Sequence, residues 1–357
     1  MSLADFRALG RSGLVVSPLC LGTMTFGPGA WGADEAASRD IFNAYRAAGG
    51  NFVDTADIYS GGVSEEFVGR FIAETKSRDE VVLATKFGFN ASASPLTASA
   101  GSGNPHAGGA GSKNIHRALH ASLKRLGTDY IDLYWMHIWD GVTPVEEIVQ
   151  TLGDLVRAGK IRYFAFSDMP AWVAMKAATI ATERRVPGPI AMQVEYSLVA
   201  RDIEAEHIPA AREAGMGVMP WSPLAGGFLT GKYQRQATGD KGRLSGANPF
   251  GNSKFTEANW ATLDVVQHVA AETGHTSAQV ALAWIMARPG VASTIVGART
   301  AAQLQGNLAA ADIKLTDDQT ARLSAASTAP TGFSAALTSP MIRKMVYGGQ
   351  TVAGWGE

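Results

Sequence analysis

The chain has 357 residues, a formal net charge of −1 and apolar side chains at 46% of its positions. That is ample material for a large core, and the balanced charge offers no basic face to nucleic acid or to an anionic membrane. The single cysteine, Cys20, excludes an intramolecular disulfide and fits a reducing compartment.

The first residues lack an apolar segment followed by a cleavage site, and no run of about 18 apolar residues occurs, so a soluble, cytoplasmic protein is expected. Residues 5–17 predict a hairpin around Gly10-Arg-Ser-Gly13. From there short apolar runs alternate with longer amphipathic stretches. The runs are 19–23, 51–54, 81–85, 131–135, 161–166, 190–194, 216–220 and 293–296. Helical patterns fall near 36–48, 64–75, 114–126, 144–158, 170–184, 204–214, 258–287 and 300–310. Ser64 is the expected cap of the second helix, with Glu65 and Glu66 suited to its positive end. Pro144, with Glu146 and Glu147, opens the fourth in the same way. Gly49, Gly127 and Gly159 follow three helices, where a left-handed residue ends the spiral.

Eight strand–helix pairs predict a closed parallel (β/α)8 barrel within one domain, 1–357, with its core at about 17–312 and a C-terminal segment 313–357. A doubly wound sheet is the alternative, but it usually shows fewer strand–helix units than these eight. Two segments lie outside the repeat. Residues 88–112 form a long Gly-, Ala- and Ser-rich loop, and 327–357 an apolar tail expected to pack over the barrel, at or near the mouth.

Several runs end in reactive groups. The first motif is Asn51-Phe-Val-Asp54-Thr-Ala-Asp-Ile-Tyr59; Lys86 ends another run and His137 a third. Strand ends of a parallel barrel converge on one mouth, where such barrels do chemistry. A tyrosine alone, with a pKa near ~10, exchanges protons poorly at neutral pH. A neighbouring Lys86 ammonium favours the phenolate, and Asp54 would hold that ammonium. Tyr59 as general acid and His137 as hydrogen-bond donor are equipment for protonating an alkoxide as it forms on a carbonyl. Each of the four has an ordinary structural reading alone; together on consecutive strands they argue one site. No HExxH or GxSxG occurs, which argues against metal or Ser-His-Asp chemistry, and no metal site is expected.

Side chains supply no hydride, so the site calls for a carrier. Gly226 to Lys232 has P-loop spacing, but Tyr233 stands where a P-loop has Ser or Thr, so it reads as a phosphate-contacting glycine loop. Trp221 is suited to stack on a nicotinamide. At Gly297-Ala-Arg299 a strand ends and a helix begins, continuing through Gln303 to Asn307. Its amides suit an anion, and Arg299 suits a ribose 2′-phosphate, favouring NADP(H) over NAD.

The chain resembles the aldo-keto reductase superfamily over about 9–325. The resemblance rests on Val53-Asp-Thr-Ala-Asp-Ile-Tyr-Ser-Gly-Gly-Val-Ser-Glu-Glu-Phe-Val-Gly69, Gly159-Lys-Ile-Arg-Tyr-Phe-Ala-Phe-Ser167, Gln193-Val-Glu-Tyr-Ser-Leu-Val-Ala-Arg201 and Trp221-Ser-Pro-Leu-Ala-Gly-Gly. Pro105-His-Ala-Gly-Gly and Met136-His-Ile-Trp-Asp140 look most like its aryl-alcohol dehydrogenase-type branch. The resemblance implies an Asp54, Tyr59, Lys86, His137 tetrad. It also implies cofactor contacts from Gly22, Thr23, Met24, Asp54, Ser167, Asp168, Gln193, Trp221, Ser222, Pro223, Leu224, Gly226, Gly227, Lys232, Arg243, Gly297, Arg299, Gln303 and Asn307. Two departures stand out. The family usually has Asn after the strand-five serine, where this chain has Asp168; many members have Glu where it has Gly306. Trp31, Phe87 and Trp139 are expected pocket walls. The expected activity is NADPH-dependent reduction of aldehydes or ketones, reversible with alcohols; the alternative is a cofactor-sensing barrel subunit with slow or no turnover.

Overall fold

A computed structural model describes residues 3–29, 32–90, 103–235, 244, 254–327, 332–337 and 339–352. An N-terminal hairpin pairs β1 (Arg7–Ala8) with β2 (Val15–Val16), and Leu9 N–H donates to Leu14 O across it at 2.8 Å. The repeat follows: β3 (Leu19–Gly22), α1 (Glu35–Ala47), β4 (Phe52–Asp54), α2 (Val63–Thr75), β5 (Val82–Phe87), α3 (Ser112–Leu126), β6 (Ile131–Met136) and α4 (Val145–Arg157). Then come β7 (Ile161–Ser167), α5 (Ala171–Arg184), β8 (Pro189–Glu195), α6 (His207–Ala214), β9 (Gly217–Trp221), α7 (Glu257–Thr273), α8 (Ser277–Met286), β10 (Thr294–Val296) and α9 (Ala301–Leu308). Three helices complete the described chain: α10 (Asp317–Ala326), α11 (Phe333–Leu337) and α12 (Pro340–Val346).

The eight strands β3 to β10 form one parallel sheet in the order β10-β3-β4-β5-β6-β7-β8-β9. Val218 N–H donates to Gly290 O (2.9 Å) and Ala292 N–H to Val218 O (3.0 Å), which brings the chain ahead of β10 against β9 and closes the ring. The expected (β/α)8 barrel with an N-terminal hairpin is what forms. Every predicted run became a barrel strand because buried parallel strands need continuous apolar sequence.

The core divides by strand parity. Leu21, Val53, Leu83, Tyr134, Phe166 and Val218 face the helix layer. Cys20, Phe52, Ala84, Leu133, Trp135, Ala165, Ala191 and Met219 fill the barrel interior, closed from one end by Leu9, Leu14 and Val16 of the hairpin. Side chains alternate along a strand, so the next inward position, two residues on, reaches the carboxyl-end mouth. Those positions are Gly22, Asp54, Lys86, His137, Ser167, Gln193 and Trp221.

Three local expectations change. Ser64 does not cap α2: Gly62, at φ 98°, is the cap, and Ser64 lies inside the helix. Its buried hydroxyl instead donates to Thr23 O at 2.8 Å and joins Thr23 and Thr55, tying α2 to two strand ends. The pattern at 258–287 is two helices, broken where Gly274 takes φ 70° and Thr276 starts the second with a capping box to Gln279. In the tail, α10 packs on the barrel through Leu323, whereas no described side chain beyond 331 is buried, and Phe333 is 83% exposed. Thus α11 and α12 are not the packed cover expected from their apolar sequence. Residues 91–102 of the long loop lie outside the described residues. Its returning limb is pinned where Asp140 accepts Ala110 N–H at 2.8 Å and Gly109 N–H donates to Gly88 O at 2.7 Å. Burial pushes the Asp140 carboxyl up, but bonds from Thr143, Ala110 and Val142 outweigh it and bring it down to about 2.

Candidate active site

Three strand ends and one turn build the centre. Asp54 ends β4, Lys86 lies in β5, His137 follows β6, and Tyr59 begins a 3-10 turn between β4 and α2. The fully buried Lys86 ammonium spends its donors on Asp54 Oδ2, on Thr55 O (3.0 Å) and on Tyr59 Oη (3.1 Å). Asp54 Oδ1 accepts from Gln193 Nε2 at 3.2 Å, joining β4 to β8. Burial alone would push the Lys86 ammonium down; the negative charge of Asp54 and the Tyr59 oxygen outweigh it, so Lys86 stays above its ordinary value. The His137 ring stands edge-on to Tyr59, centroids 5.9 Å apart. Burial, then the nearby Lys86 charge, push His137 well below its ordinary range. It is therefore a neutral imidazole at neutral pH, with one N–H to donate, and its buried Nδ1 has no partner. The predicted tetrad assembles.

Across the mouth, β7 and β9 end in Ser167 and Trp221, and Gln193 lies near the end of β8. The Ser167 hydroxyl is buried without a hydrogen-bond partner, a vacancy that a polar ligand group would fill. Asp168 turns back in the left-handed region (φ 44°), its N–H donating to Gln193 O at 3.1 Å. Its Oδ1 accepts the Trp221 indole N–H at 2.8 Å. The carboxylate keeps contact with solvent, yet the surrounding rim raises it to about 6, a shift that the Trp221 bond opposes. Beyond Trp221 the loop turns tightly. Ser222 Oγ accepts Gly226 N–H at 3.1 Å, Pro223 is buried and Leu224 packs on the core. Gly226 (φ 65°) and Gly227 (φ 93°) both need the left-handed region. A Cβ on Gly227 would stand 2.7 Å from Lys232 Nζ, so the bare backbone there makes room for that ammonium. Tyr233 is buried rather than offered to a metal.

On the remaining side, Gly22 lies against β10, where a Cβ would meet Ile295 Cγ2 at 2.6 Å. Thr23 N–H donates to Asp54 O at 3.0 Å, and Thr25 Oγ1 to Ala298 O at 2.8 Å, so residues 22–25, Met24 included, adjoin the start of α9. There Gly297 and Arg299 are exposed; Gln303 Oε1 accepts Arg299 N–H (2.9 Å), and Asn307 is buried one turn on. Gly306 is open, its carbonyl accepting from Gln279 at 2.9 Å. Trp31 and Arg243 lie outside the described residues.

The expected pocket walls fare unequally. Phe87 is one residue out of phase with Lys86, so it points into the helix layer and stacks on Tyr134 at 4.8 Å; it is core, not wall. Trp139 is half-buried, its indole donating to Thr143 O at 3.3 Å. Two aromatics that the sequence reading missed stand nearby. Phe89 meets the His137 ring edge-on at 4.9 Å, and Trp172 meets Trp139 likewise at 5.4 Å. Phe89 carried a signal, being two residues beyond a strand end; Trp172 sits in a helix, and only the fold brings it to Trp139.

The geometry is that of a carbonyl-reducing barrel, and comparison with known proteins agrees. The Aldo/keto reductase family model matches residues 18–328, and the chain belongs to that family. It is 37% identical over 321 residues to the uncharacterized oxidoreductase YrpG of Bacillus subtilis, covering 87% of this chain and 92% of that protein. It is 32% identical to norsolorinic acid reductase of Aspergillus flavus (93% and 83% covered) and 33% identical to aryl-alcohol dehydrogenase [NADP(+)] of Phanerodontia chrysosporium (86% and 81%). This is an oxidoreductase barrel, and no helix among its described residues is long and apolar enough to cross a membrane.

Proposed function

We propose that this protein reduces aldehydes or ketones to alcohols with NADPH, reversibly, and that Tyr59 delivers the proton. The observation that carries the reading is the Lys86 ammonium held between Asp54 and Tyr59 Oη, with His137 facing Tyr59. A carbonyl oxygen placed between Tyr59 and His137 receives a hydrogen bond from each. As negative charge grows there, Tyr59 passes its proton to it, and Lys86 meets the charge left on the phenol oxygen. Asp54 keeps the ammonium in place. Neutral His137 polarises the carbonyl without competing for the proton.

The nicotinamide supplies the hydride when bound. Ser167 and Gln193 suit its carboxamide, Trp221 its ring, and Gly226, Gly227 and Lys232 its phosphates. Gly297 and Arg299 suit the ribose 2′-phosphate, which is the reason for preferring NADP. Phe89 against His137, with Trp172 paired to Trp139 two residues along the chain from His137, favours an aromatic substrate, in keeping with the names of the aryl-alcohol and norsolorinic acid relatives. The lone cysteine points to the cytoplasm.

The test follows nicotinamide absorbance with NADPH and NADH, over aromatic and aliphatic carbonyls and in both directions. Turnover is expected with NADPH and aromatic aldehydes or ketones, and Arg299→Ala should weaken NADPH far more than NADH. Tight NADPH binding without turnover on any carbonyl would replace this reading with that of a cofactor sensor.

A further inference from the structure

The two halves of the mouth carry different charge. On the proton-delivery side, Asp54 is neutralised by Lys86. On the β7–β9 side, Glu195 is neutralised by Lys254 at 2.7 Å. Asp168 differs: its hydrogen-bond partner is the neutral indole of Trp221, which holds the carboxylate in place without cancelling its charge. The backbone is bent into the left-handed region to put it there, with its N–H fixed on Gln193 O. The carboxylate thus stands between Ser167, whose hydroxyl is unpartnered, and Trp221.

This inference rests on the reductase reading. If a carbonyl oxygen meets Tyr59 and His137, the hydride donor must lie beside them, over the ring of strand ends and against the β7–β9 side. A nicotinamide is cationic when oxidised and neutral when reduced. An uncompensated carboxylate on that side therefore acts on one form and not on the other.

We propose that the Asp168 carboxylate sets which oxidation state of the nicotinamide cofactor this barrel holds more tightly, favouring the cationic, oxidised form. The bias favours the complex poised to oxidise an alcohol and speeds neither direction by itself. The charged groups bearing on Asp168 are Lys86 and Glu195, each held in its own ion pair. Neither pair depends on Asp168.

The test is binding, not turnover. Dissociation constants for NADP+ and NADPH are measured by titration calorimetry on the wild-type protein, Asp168→Asn and Trp221→Phe. Asn keeps the shape, tolerates the left-handed backbone and still accepts from the indole. At pH 8 the preference for NADP+ over NADPH should fall by about three- to tenfold in Asp168→Asn, the size of one charge acting through a partly solvated site. It should persist in Trp221→Phe, which keeps the charge. In the wild type the preference should shrink between pH 8 and pH 5.5, as Asp168 takes up a proton near 6. It should stay flat in Asp168→Asn. The cofactor's own 2′-phosphate titrates in that range too, but it is common to both forms and cancels in the ratio. An equal ratio in wild type and Asp168→Asn at pH 8, or an equal pH slope in both, would overturn the proposal. So would loss of the preference in Trp221→Phe alone. If the wild type bound neither form, the reductase reading itself would fall.

Discussion

Tyr59 and Asp57 are two residues apart in one motif, and their surroundings assign them different tasks. Tyr59 is half-exposed at the mouth with its oxygen on Lys86, whereas Asp57 is buried beneath it with Oδ1 unpartnered. Tyr59→Phe removes the transferable proton and little else. It should lower kcat by on the order of 100- to 10,000-fold and leave the NADPH dissociation constant within about twofold, checked by steady-state rates and titration. Retained turnover would remove Tyr59 as the acid. Asp57 is pushed up to about 8, first by burial and then by the charge of Glu65. A folded value above the unfolded one of ~4 means that the native state grips the proton, so stability is lost as pH rises between these values. Asp57→Asn should therefore gain about 1–3 kcal/mol at pH 8 and almost nothing at pH 4, read from denaturant melts at both pH values. A gain independent of pH would contradict this.

The glycine turn after β9 and the α9 start are where elements, not single residues, make a binding surface. Gly227 leaves space that the Lys232 side chain occupies, at a backbone angle L residues seldom adopt. Gly227→Ala should displace Lys232 and weaken NADP(H) binding by about tenfold or more, with kcat less affected at saturating cofactor. Unchanged affinity would separate this loop from the phosphates. The same scale shows how far periodicity carries. In β5, Lys86 and Phe87 are adjacent and both apolar-run residues by position, yet parity sends Lys86 to the mouth and Phe87 to the helix layer. The sequence places the run; the phase of its alternation is set by the barrel interior, anchored on Val82 and Ala84. Ser64 illustrates the other limit. A serine ahead of acidic residues has the chemistry of a cap, but the tight turn at Gly61 and Gly62 had already started the helix, and strand-end carbonyls took its hydroxyl.

Across the whole molecule, the barrel is closed at one end by the hairpin and left open at the other, where the chemistry gathers. The tail beyond α10 adds little to that body, since α11 and α12 bury none of their described side chains. Ending the chain after Ser327 should therefore shift Tm by no more than about 1 °C by calorimetry, which in a chain this long corresponds to less than about 1 kcal/mol. A larger fall would show that the tail packs in solution.

The sequence by itself determined the fold class and the tetrad. Continuous apolar runs separated by amphipathic stretches have few solutions other than a parallel barrel, and Asp54, Tyr59, Lys86 and His137 sit at or just past run ends, where a barrel sends its chain to the mouth. It did not determine which neighbours those residues would meet. That Gln193 reaches Asp54, that Asp168 is held by Trp221, and that Phe89 and Trp172 supply the aromatic edge are decisions of the closed barrel. The physical reason is separation along the chain. Local pattern fixes what a residue can do, whereas the partners that tune it arrive from strands up to 139 residues away and are chosen by ring closure and strand register.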